Sequence, residues 1–186
     1  MEDRYQHIRS ATGKLYYAGE VFLIDPLLAK KGVYPGFPMT KRSELFNPLT
    51  ELPMPIEEIL KDVTCVMVTH THSDHWDLYA EAYIKKDLPI YVQHAADANF
   101  IRVKGFKNVK VLGRGMMQGK VKLTRTACQH ASDSMLTNPE TAKDSVNQWD
   151  LSSKLKDIKK FMLLGILYGM IMSKLKLKCI SLIIVY

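Results

Sequence analysis

From Asp62 onward, short apolar runs alternate with helix-type patterns, and that alternation restricts the fold more than any other feature of the chain. DVTCVMVTH (62–70) has the form of a buried strand that ends in polar residues. A helix is expected over Asp77–Lys86, a strand around Ile90–Gln93 and a helix around Ala95–Lys104. Strands are expected near Val109–Leu112 and Val121–Thr126. Strand and helix in alternation favour an α/β fold over an all-β or all-α one. Ahead of this region, KLYYAGEVFLID (14–25) reads as two short strands broken at Ala18-Gly19, a hairpin-like pattern. At 186 residues and 47% hydrophobic content, the chain can bury a real core, and no internal repeat is visible.

Residues 26–60 behave differently. Pro26, Pro35, Pro38, Pro48, Pro53 and Pro55 punctuate a long segment with no stable period. Ordered loops of this length tend to be lids or substrate-facing excursions, and that is the expectation here.

The net charge of +7 invites a nucleic-acid or membrane partner, but its distribution argues otherwise. Residues 143–186 hold eight lysines against three acids, a net +5. Residues 1–142 hold 18 basic and 16 acidic residues, a net +2, with no basic stripe interleaved with aromatics. No nucleic-acid partner is expected. The three cysteines (Cys65, Cys128, Cys179) form no C-x-x-C pair, and no apolar stretch follows MEDRYQHIRS. Free thiols in a reducing cytoplasm, with no signal peptide, are the expectation.

THTHSDHWD (69–77) places three histidines and two aspartates directly behind the apolar run Cys65–Val68. His70 and His72 are two apart, so in an extended segment their imidazoles share a side. Asp74 and His75 follow as the chain turns toward a helix and can face a second point nearby. Zinc takes imidazole and carboxylate ligands, and a catalytic site leaves one position for water. Two such ligand sets could hold two metals about 3.5–4 Å apart. Four ligand-type residues in six positions at a strand's end weigh against a polar loop whose histidines merely cap a helix. His7 and His94 lack partner spacing and read as surface or satisfied core groups. Trp76 reads as packing, Asp77 as a helix cap, Cys128 as a small core residue, and Arg9 as a surface or sheet residue.

The pattern His70-x-His72-x-Asp74-His75 after a hydrophobic strand resembles the signature of the metallo-β-lactamase superfamily, over roughly residues 7–150. FLIDP (22–26) is similar to that family's early strand ending in an aspartate, and ACQHASD (127–133) to its later strand and loop supplying a further histidine. KLYYAGEVFLIDPLLAKKGVYPGFP is most similar to the branch of L-ascorbate-6-phosphate lactonase and related bacterial hydrolases. The resemblance implies the N-terminal part of an αββα sandwich and a small-molecule substrate. It also implies attack of a zinc-bound hydroxide on an ester, lactone or phosphodiester, with manganese or iron as other metals. Carried over residue by residue, His70, His72 and His130 would form the first metal site. Asp74 and His75 would contribute to the second, with Asp74 also orienting the attacking water. Asp25 would stand behind the ligands and hold them in place.

Residues 151–186 depart from that family. Its members continue with a bridging aspartate in a Gly-Asp-Thr turn and a final histidine, whereas here no histidine follows His130. The end reads KKFMLLGILYGMIMSKLKLKCISLIIVY, unlike anything before it. Phe161–Gly169 can be encoded as TTT ATG TTG CTG GGG ATA CTA TAT GGT. Read from the third base, this gives Tyr-Val-Ala-Gly-Asp-Thr-Ile-Trp, the strand and turn the family has at this point. A frameshift near residues 145–152 is therefore expected to have replaced the second half, leaving a partial domain over 1–150 and an aberrant tail over 151–186. The alternative is a non-catalytic metal-binding or membrane-associated fragment. Its tail is apolar for only Phe161–Met172, short of the roughly 20 residues a spanning helix needs, so no membrane span is expected. With the bridging aspartate and last histidine missing, weak binding of a second metal, poor solubility and little turnover are expected. The oligomeric state is not legible in the sequence.

Overall fold

The structure, a computed structural model, describes residues 2–36, 42–113 and 115–125, together with the backbone of 183–185. The chain divides into two compact units, one of Met1–Leu112 with Gln118–Val121 and the other of Gly113–Met117 with Lys122–Tyr186.

The first unit is built on a six-stranded mixed sheet in simple chain order. β1 (Arg4–Arg9), β2 (Thr12–Tyr17) and β3 (Glu20–Ile24) form an antiparallel meander. The expected break at Ala18-Gly19 is a two-residue turn with φ of 49° and 87°. Two positive φ values match the twist of a tight hairpin, and glycine takes one of them without strain. β4 (Cys65–Val68), β5 (Ile90–Val92) and β6 (Val109–Val111) then add in parallel, with Phe22 opposite Cys65, Val66 opposite Ile90, and Ile90 opposite Val109. β4 and β5 are buried at every position, which is why they read as unbroken apolar runs rather than alternating ones.

Among the described residues, three short helices accompany these strands: α1 (Ile56–Leu60), α2 (Leu78–Tyr83) and α3 (Ala95–Arg102). Ile59, Ala80, Ala98 and Ile101 enter the core with Leu23, Leu28, Val66, Val68 and Ile90. The helices stop earlier than their patterns suggest. Ile84 leaves α2 in an extended conformation, and α3 ends ahead of Gly105 at φ 90°. A second, three-stranded sheet contains β7 (Met116–Gln118), β8 (Val121–Arg125) and β9 (Ile183–Val185), with Leu123 opposite Val185.

The mixed α/β class expected from the sequence is the class observed. Strand β1 was not anticipated, because RYQHIR lacks an apolar alternation, and β7 is too short to signal itself. Arg9, left open as a surface or sheet residue, ends β1 with only 4% of its surface exposed. The proline-rich segment is part core and not only loop: Leu27, Leu28 and Ala29 are buried, and α1 forms at its end. Apart from β9, the expected tail over 151–186 lies outside the described residues. Among the described residues no helix is long and apolar enough to cross a membrane.

Candidate metal centre

Parallel strands β3 and β4 end side by side, and the polar residues that follow each are brought together there. Asp25 continues the ladder beyond β3, its N–H donating to Met67 O at 2.9 Å. It then turns into the left-handed region at φ 42°. Thr12, fully buried, holds that turn: its hydroxyl donates to Asp25 O at 2.6 Å and accepts from Leu27 N at 2.9 Å. The Asp25 carboxylate is thereby set against the start of the histidine motif. Oδ1 accepts from Thr69 N at 2.7 Å, and Oδ2 accepts from the Thr69 hydroxyl at 2.8 Å and from His75 Nδ1 at 2.9 Å.

The motif curls back on itself, with His75 N and Trp76 N both donating to His72 O at 2.9 Å. This brings the His75 ring to 3.8 Å from that of His70, and the His72 ring meets His70 edge-on at 4.6 Å. His70 Nδ1 lies 3.1 Å from the Thr69 hydroxyl oxygen, whose own proton goes to Asp25. These contacts place a proton on Nδ1 of both His70 and His75 and leave Nε2 as the nitrogen available to a ligand. His75 Nε2 faces Asp74, 3.7 Å from Oδ2. Burial opposes the imidazolium of His75, but the charge and hydrogen bond of Asp25, followed by the charge of Asp74, outweigh it and raise its pKa.

His70, Asp74 and His75 each offer a ligand atom within 4.8 Å of the others. The resemblance assigns His70 to one metal and Asp74 and His75 to a second, and all three meet in this group. His72 lies beside it through its contact with His70, and His130 lies outside the described residues. These residues fit a divalent metal. Two imidazoles and a carboxylate are a donor set for zinc, and one that iron or manganese can also take. Asp74 Oδ1 is buried with no hydrogen-bond partner, as an oxygen reserved for a cation would be. His75 meets a carboxylate through its other nitrogen, the arrangement that orients metal-bound histidines.

The framework behind this group includes contacts that carry no sequence signal. Arg9 donates to Leu27 O at 2.7 Å, Ala29 O at 2.8 Å and Thr50 O at 2.9 Å, tying down the segment that follows Asp25. Asp77 caps α2 through Ala80 N, as expected, and also accepts from Ala29 N, both at 2.7 Å. Trp76 packs in the core against Phe106, and His7 Nε2 meets Ser10 O, both in line with their bland readings. Cys65 is buried and burial pushes its thiol up, so it is an inert core residue. A cleft of about 120 Å³ opens at Asp74, walled by Leu27, Tyr34, Pro35, Asn47 and Pro48. The segment expected to face a substrate thus borders the ligand group.

No protein-family model matches the chain. Over 131 residues it is 44% identical to the UPF0173 protein YddR of Bacillus subtilis (strain 168), an overlap of 70% of this chain and 52% of that protein. Among solved structures it is similar to a possible metal-dependent hydrolase from Veillonella parvula DSM 2008. The identity is 41%, the TM-score 0.75, and the overlap 77% of this chain and 55% of that one. It is also similar to an isothiocyanate hydrolase from Delia radicum gut bacteria, at 40% identity and a TM-score of 0.70 over 75% of this chain and 53% of that one. These structural neighbours are thus named as hydrolases, one of them as possibly metal-dependent, and the chain is a homologue of a UPF0173 protein. It spans about half the length of these relatives.

Proposed function

We propose that this chain carries the N-terminal half of a metallo-β-lactamase-type hydrolase site, near the branch its N-terminal strands resemble, and that it works in the cytoplasm. The observation that carries the reading is the convergence of His70, Asp74 and His75 in front of Asp25. His70 and His75 would hold a divalent ion through Nε2 and Asp74 through a carboxylate oxygen, with His72 and His130 as further ligands. Zinc suits the set best, and manganese or iron are the alternatives. A bound ion supplies Lewis acidity and an acidified water able to attack an ester, lactone or phosphodiester.

The chain's own residues do the rest. Asp25 keeps the His75 proton on Nδ1 and so keeps the Nε2 lone pair turned toward the ligand group. Asp74 lies at the edge of the cleft in which a small substrate would lie, where it would orient the attacking water. The residues that complete the second metal are absent from this chain on the frameshift reading. One ion should therefore bind well, a second weakly, and turnover should be low.

The test is metal content of the purified full chain after zinc loading and dialysis, followed by assays on a phosphodiester, a lactone and an aryl ester. An isothiocyanate joins the panel because one relative is named for that activity. About one bound zinc per chain with weak hydrolysis supports the proposal. Bound zinc with no hydrolysis favours the non-catalytic metal-binding reading, and no bound metal defeats both.

A further inference from the structure

Thr71 stands between His70 and His72, and its hydroxyl donates to Oδ1 of Asp97 at 2.8 Å. Asp97 belongs to the first turn of α3, has 4% of its surface exposed, and sits beside the core residues Ala98 and Ile101. Its other oxygen, Oδ2, is buried with no hydrogen-bond partner among the described residues. A carboxylate buried with half its acceptor capacity unfilled costs stability where it stands.

The arrangement mirrors the one at Asp25. Thr69 is bound to Asp25 through both its N–H and its hydroxyl, and Thr71 is bound to Asp97 through its hydroxyl. Both threonines of THTH thus meet buried carboxylates, one from the end of β3 and one from the start of α3. We infer that Asp97 is a positioning residue for the metal centre: acting through Thr71, it fixes the backbone between His70 and His72, as Asp25 does on the other side of His70 through Thr69. It touches neither ion nor substrate. The inference rests on the metal-centre reading for its purpose, but its structural content can be tested without metal.

Thr71→Val keeps the shape of the side chain and removes only its hydroxyl, and Thr71→Ser restores the hydroxyl. In the metal-free full chain, amide hydrogen exchange over residues 69–73 should be faster in T71V, unchanged in β1–β3, and back to the parent rate in T71S. Cobalt(II) affinity, measured by chelator competition, should fall about 10- to 100-fold in T71V and recover in T71S. Asp97→Ala on the T71V background should cost no further cobalt affinity, because the two side chains act as one unit. Parent-like exchange over 69–73 in T71V, or exchange raised equally throughout the chain, would overturn the inference. A parent chain that binds no cobalt would instead defeat the metal-centre reading, leaving the exchange result to decide this one.

Discussion

Asp25, held in a left-handed backbone conformation at φ 42°, donates no hydrogen bond to His75 but accepts one from its Nδ1 at 2.9 Å, across fifty residues of chain. A non-glycine residue in that conformation costs on the order of 1 kcal/mol. The cost is offset locally by Thr12, which bonds Asp25 O and Leu27 N on the two sides of the turn. The conformation aims one carboxylate at Thr69 and His75 together.

Asp25→Asn keeps the size of the side chain and removes the charge that fixes His75. Zinc affinity is expected to fall about 10- to 100-fold, read by competition with a chromophoric chelator. Unchanged affinity would show that Asp25 serves only the backbone turn.

Asp74→Asn separates ligand chemistry from folding. The Asp74 side chain is 39% exposed, so the substitution should leave the circular dichroism spectrum and the unfolding midpoint near those of the parent. Bound zinc should decrease, and whatever hydrolysis the parent shows should be lost. Full retention of both would remove Asp74 from the site.

Thr12→Val removes a hydroxyl that satisfies one buried carbonyl and one buried N–H. Urea unfolding should show a loss of about 1–3 kcal/mol, with Thr12→Ser losing less. Arg9→Leu strips the donor from three carbonyls and should be more damaging, on the order of 3 kcal/mol or more. An Arg9→Leu chain as stable as the parent would contradict the role given to that guanidinium.

The gene sequence across residues 140–165 decides the origin of the tail. Native codons for Phe161–Gly169 are expected to permit the shifted reading Tyr-Val-Ala-Gly-Asp-Thr-Ile-Trp, and a gene restored to that frame should yield a more soluble protein that binds a second metal. Codons that forbid the shifted reading would make the tail a genuine part of the chain.

What was legible in advance follows from burial. CVMV and the Ile90–Val92 region announced themselves because parallel strands buried on both faces must be apolar throughout. The candidate group was legible because its residues are local, within six consecutive positions. The pieces that escaped are those whose partners are distant. Arg9 meets carbonyls up to 41 residues away, and Thr71 meets Asp97 at a separation of 26. Nothing in RYQHIR or AADANFIR marks one polar residue as buried, since the pairing that makes burial tolerable exists only once the sheet has formed. The same applies to the grouping of His70 with His75, which depends on the turn closed by His75 N and Trp76 N on His72 O.

The most direct test of the metal centre is zinc titration of the metal-free full chain against a chromophoric chelator, beside His70→Asn and His75→Asn variants. About one tight equivalent is expected in the parent, lost in each variant, with folding retained by circular dichroism. A parent chain that never competes with the chelator, or variants that bind zinc as tightly as the parent, would contradict it.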